Sequence, residues 1–84
     1  MNEIVKIKNE IYNAIESKIN EHNTYLQNLI SNKCYIDKSE EWQKYDEING
    51  MLKLVKELNL LDKNLIEKLE NLNERNNQTI LNNE

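Results

Sequence analysis

Residues 4–30 read IVKIKNEIYNAIESKINEHNTYLQNLI, and Ile4, Ile7, Ile11, Ala14, Ile15, Ile19, Tyr25, Leu26, Leu29 and Ile30 recur there in short steps. Steps of three and four residues line apolar side chains along one stripe of an α-helix. Unbroken, this segment would extend about 40 Å at 1.5 Å per residue. A helix of that length needs either a hairpin of matching length to lie against or a second copy of itself.

Working outward, the stretch Ser31 to Lys38 interrupts the stripe. Asp37 followed three residues later by Glu40 forms a capping-box pattern, with Ser39 as a competing cap. Tyr45, Ile48, Met51, Leu52, Val55 and Leu58 then define a second helical face. Asn49-Gly50 would suit a hairpin turn between strands. Here the stripe passes through it in phase, so Gly50 reads as a mid-helix glycine costing under about 1 kcal/mol relative to Ala.

Asn59 to Asp62 marks a second break. Asn tolerates the left-handed conformation that ends helices, and Asp62 can cap the next one. Leu65, Ile66, Leu69 and Leu72 follow as a narrow stripe resembling a coiled-coil seam, and Leu65, Leu69 and Leu72 are the expected self-association contacts. Asn76-Asn77-Gln78 has poor helix propensity, so residues 77–84 are expected to fray. With one Gly and no Pro, the expected fold is all-α, a single domain over 1–84 with helices at about 2–31, 39–58 and 62–76. The long antiparallel helical hairpin and its third helix would close as a three-helix bundle or as a dimeric helical bundle.

Eighty-four residues enclose only a small core, and chains of this size often gain stability by association. Cys34 is the only cysteine, so no disulfide can form within the chain, and a reducing, cytoplasmic setting is expected. Met1 to Glu10 mixes apolar and charged residues, which fits neither a signal peptide nor a membrane span. Asn77-Gln78-Thr79 matches the glycosylation acceptor pattern, and in so Asn-rich a chain it reads as chance. Arg75 is the only Arg and the net charge is -4. Direct nucleic-acid binding is therefore not expected, because phosphate recognition favours a basic, Arg-bearing surface.

No catalytic, cofactor-binding or metal-binding residues are expected. His22 falls on the apolar stripe without a second His, and Cys34 lies beyond the helix end, so neither assembles a reactive constellation. His22 reads as a polar layer in a bundle, and Cys34 as a small side chain plugging its end.

The charge is unevenly placed. Between residues 37 and 47, Asp37, Glu40, Glu41, Asp46 and Glu47 stand against Lys38 and Lys44, a net of -3 out of -4. The same stretch holds the only Trp. Glu40, Glu41, Trp42, Asp46 and Glu47 are accordingly the expected partner-binding residues, because aromatic anchors and local charge characterise recognition surfaces. The structural alternative is that acids oppose the helix dipole while Trp42 closes the core. Gly50, Leu54 and Leu61 mark a second line along which another helix could approach closely.

The functional expectation is a small non-enzymatic protein–protein interaction module that forms a homodimer and binds a protein with a basic surface. Frequent Asn, Lys and Ile suit an AT-rich genome, and a chain of this kind fits an accessory protein of a phage or mobile element. An inhibitor of a nucleic-acid-handling host protein belongs to that class. The alternative is a self-associating structural coiled-coil subunit with no heterologous partner.

Overall fold

The computed structural model describes residues 2–83, which form α1 (Asn2–Ser31), α2 (Lys38–Glu57) and α3 (Lys63–Asn82). The chain runs up, down and up. Lys8 meets Asp62 at one end, while Asn76 reaches Ile19 further along, so α1 and α3 run parallel with α2 antiparallel to both. The result is an all-α three-helix bundle measuring 49 × 20 × 17 Å.

Both connections carry a left-handed residue at their second position. After α1, Lys33 (φ 55°) lets Cys34 N donate to Leu29 O and Lys33 N to Ile30 O. After α2, Asn59 (φ 53°) repeats the pattern toward Val55 and Lys56. These paired bonds satisfy carbonyls that have no partner inside the helix. Asp37 caps α2 as its spacing predicts, its Oδ1 accepting from Glu40 N at 3.3 Å. Asp62 occupies the cap position of α3, but its side chain makes no cap bond and pairs instead with Lys8. Gly50 lies within α2, and a Cβ there would meet no atom within 4 Å.

The main core gathers Ile15 and Ile19 from α1, Ile48, Leu52 and Val55 from α2, Leu61 from the connection, and Ile66 and Leu69 from α3. Leu26, Ile36 and Ile80 are buried outside that cluster. Three expectations are corrected here. Of the tail expected to fray, residues 77–82 are helical, since α3 continues to Asn82 and Ile80 is 0% exposed, while Glu84 lies outside the described residues; burial outweighs the weak propensity of the Asn-rich turn before Ile80. Leu69 is fully buried, and Leu65 and Leu72 pack against the core of their own chain, so this seam is already occupied within the bundle. Leu61 is buried rather than part of an outer line, and it is Leu58, 58% exposed, that continues outward from Leu54.

The candidate interaction face and the polar layer behind it

Three helices meeting along apolar stripes leave α2 with two opposed faces. Its inward positions include Glu41, which shares the burial pattern of Ile48, Leu52 and Val55. Glu41 is only 2% exposed, and its Oε1 lies 3.0 Å from His22 Nε2 on α1. Lys44 Nζ comes within 3.6 Å of the same oxygen and sits 4.0 Å over the Tyr25 ring. Glu41 is thus not available to a partner, contrary to the sequence expectation. His22 does form the polar layer that its place on the stripe implied.

The protonation of this pair follows from geometry. His22 Nδ1 is buried with no partner. A neutral ring donating from Nε2–H to Glu41 leaves only an unused lone pair at Nδ1, whereas the imidazolium would bury a second N–H with no acceptor. Burial is the larger influence and holds the His22 pKa below its ordinary 6.5, against the upward pull of the Glu41 bond and charge, with Lys44 adding a downward push. The folded state therefore prefers the neutral ring. This contribution to stability is fully present above pH 6.5 and is lost as pH falls through the depressed folded value. Chemical denaturation between about pH 7 and 5 should show falling stability, and His22→Gln should flatten that slope. A wild-type profile that is flat over the window would refute the assignment. Glu74 acts at lower pH: Asn77, Tyr45 and Gln78 donate to its carboxylate, holding its pKa below 4.5.

A second polar array joins α3 to both other helices. Asn73 Nδ2 donates to Tyr45 O and to Asn49 Oδ1, and Asn76 Nδ2 donates to Ile19 O. Trp42 Nε1 donates to Asn77 Oδ1 at 3.0 Å, and Tyr45 OH donates to Glu74 Oε2 at 2.7 Å. Trp42 is half-buried, with its one polar atom committed to α3. Burial and the bond to Glu74 raise the Tyr45 pKa.

The outward side of α2 carries the rest of the expected site. Glu40, Asp46 and Glu47 are exposed. Asp46 and Glu47 line a shallow depression with Ser39, Gln43 and Trp42, so the structure unites the indole with two of the four acids named from sequence. Glu40 lies outside that lining and Glu41 points the other way. Asn77 and Glu74, which hold Trp42 and Tyr45, were not singled out from sequence; their only signal was a polar run following a helical stripe. Cys34 is exposed rather than plugging the bundle, beside the largely exposed Tyr35.

Among the described residues no helix is long and apolar enough to cross a membrane, and no group of three or more His, Cys, Asp or Glu side chains comes together that could hold a metal ion. Fold and site together describe a three-helix bundle with a buried His–Glu layer and an acidic depression on its middle helix. No protein-family model, curated protein or solved structure matches the chain.

Proposed function

We propose that this protein is a non-enzymatic interaction module whose α2 binds a protein partner with a basic surface. The carrying observation is the depression in which Asp46 and Glu47 flank the half-buried Trp42. An indole held at a fixed angle by Asn77 offers a rigid wall, and the two carboxylates beside it select a Lys- or Arg-bearing segment. Glu40, about two turns before those acids on the exposed side of α2, extends the negative field. A basic channel that handles nucleic acid is the surface such a field suits best, and occupying it would make the module an inhibitor.

Asp46→Lys with Glu47→Lys should abolish capture of the partner that the wild-type chain retains from its host, and wild-type binding should weaken as salt rises. Glu67→Lys on the exposed side of α3 serves as the charge control and should bind normally. Trp42→Phe keeps a ring in place but removes the bond to Asn77, and it should weaken binding less than the charge reversal. Equal capture by wild type and the double reversal would refute the reading.

A further inference from the structure

Glu74 stands outside the acidic depression, on the exposed side of α3, and the partner-binding reading gives it no part. Its carboxylate nevertheless receives three donors. Tyr45 OH reaches Oε2 at 2.7 Å, while Asn77 Nδ2 and Gln78 Nε2 reach Oε1 at 3.0 and 3.2 Å. Asn77 and Gln78 follow Glu74 by three and four residues, so all three rise from one face of α3. Trp42 and Tyr45 are likewise three residues apart on α2. The two faces meet in two rungs, Trp42 to Asn77 and Tyr45 to Glu74, and the bond from Asn77 to Glu74 closes them into a ring.

We infer that Glu74 is a positioning residue for the partner-binding surface of α2: through the Asn77 amide it sets the angle at which the Trp42 indole is presented. This rests on the reading of α2 as the binding face.

The physical reason lies in the amide. Its two ends are nearly alike in shape but opposite in hydrogen bonding, so its neighbours decide which way it points. Asn77 Oδ1 accepts from the Trp42 N–H at 3.0 Å only because its NH2 end is turned toward Glu74. Reversed, the amide would set NH2 against the indole N–H and its oxygen against a carboxylate, two repulsive contacts. Without the carboxylate, one of those two restraints is gone, and the amide is free to turn toward water. The Asn77 bond is also the largest influence holding the Glu74 pKa below 4.5, ahead of Tyr45 and Gln78, so the carboxylate is ionised and accepts at neutral pH. An indole already fixed in its bound orientation loses less freedom when a partner arrives. Asp46 and Glu47 supply the charge of the site, and Glu74 supplies the rigidity of its wall.

Trp42 is the only Trp, so tryptophan fluorescence of the full chain reports this place alone. Glu74→Ala should move the emission to longer wavelength and increase its quenching by acrylamide. The helical signal should stay, because Glu74 is exposed. Glu74→Gln should keep the wild-type spectrum, since its oxygen can receive Asn77 and Gln78 while its NH2 donates to the Tyr45 hydroxyl. Asn77→Ala should shift the emission at least as far as Glu74→Ala, and combining the two should add nothing further. No shift in Glu74→Ala, an equal shift in Glu74→Gln, or additive shifts in the double variant would each overturn the inference.

Glu74→Ala should also weaken binding of the partner by roughly two- to ten-fold, the range for one side chain losing its pre-set orientation. Full-strength binding by Glu74→Ala, where Asp46→Lys with Glu47→Lys abolishes it, overturns the positioning role. The fluorescence series needs no partner, so a failure of the partner-binding reading, seen as equal capture by wild type and the double charge reversal, is read separately.

Discussion

Glu41→Lys should cost the protein most or all of its folded state, whereas Glu40→Lys, one residue earlier, should shift stability by less than about 1 kcal/mol. The two positions look alike in sequence and differ in burial. Glu40 is exposed in the first turn of α2, where reversing its charge loses only a helix-dipole interaction. Glu41 is 2% exposed and accepts from His22, which is itself buried. Removing the carboxylate leaves the buried Nε2–H of the neutral His22 ring with no acceptor, which typically costs about 1–3 kcal/mol. A lysine placed there would add a cation between the His22 ring and the Lys44 ammonium, raising the penalty further. Domains this size have a total stability of only about 5–15 kcal/mol. Thermal unfolding followed by circular dichroism should show a cooperative transition in Glu40→Lys close to wild type. In Glu41→Lys it should be lowered by at least about 15 °C or be absent. Matching transitions in the two variants would show that Glu41 is a surface residue after all.

Ile80→Ala should lower the unfolding free energy by about 2–4 kcal/mol and the melting temperature by at least about 10 °C. Nothing local to Ile80 announces this, since it follows Asn76-Asn77-Gln78-Thr79. In the folded chain Ile80 is fully buried, and the Asn turn before it is held by bonds from Asn76 to Ile19 and from Trp42 to Asn77. Leu81, 43% exposed, is the control: Leu81→Ala should change stability by no more than about 0.5 kcal/mol beyond its helix propensity. A chain ended after Arg75 should lose more than Ile80→Ala does, because it also gives up both hydrogen bonds. If Ile80→Ala melts like wild type, the last turns of α3 do not dock.

Periodicity by itself was enough to determine the fold class, the three helices and both breaks. Three- and four-residue spacing, left-handed Asn and a capping Asp act locally and need no knowledge of neighbours. His22 as an internal polar layer was also legible, because a single polar residue on an otherwise apolar stripe must face the core. The partner of that residue was not. Glu41 lies seven residues before Ile48 on the inward stripe, but an acid in the first turn of a helix is equally well explained by the dipole. Only the packing of α1 on α2 distinguishes the two.

The same holds for α3. Ile66, Leu69, Asn73, Asn76 and Ile80 form one continuous buried stripe, but two of its members are Asn, so a count of apolar residues ends at Leu72. Their NH2 groups are acceptable inside because Ile19 O, Tyr45 O and Asn49 Oδ1 receive them, while Asn73 Oδ1 stays buried without a partner. A side-chain amide becomes a core residue only when another helix supplies its acceptor, and that is a property of the assembled bundle. The exposed end of α1 follows the same logic in reverse. Ile4 and Ile7 belong to the stripe by spacing but are 64% and 54% exposed, and whether a stripe residue is covered depends on the packing of the neighbouring helices.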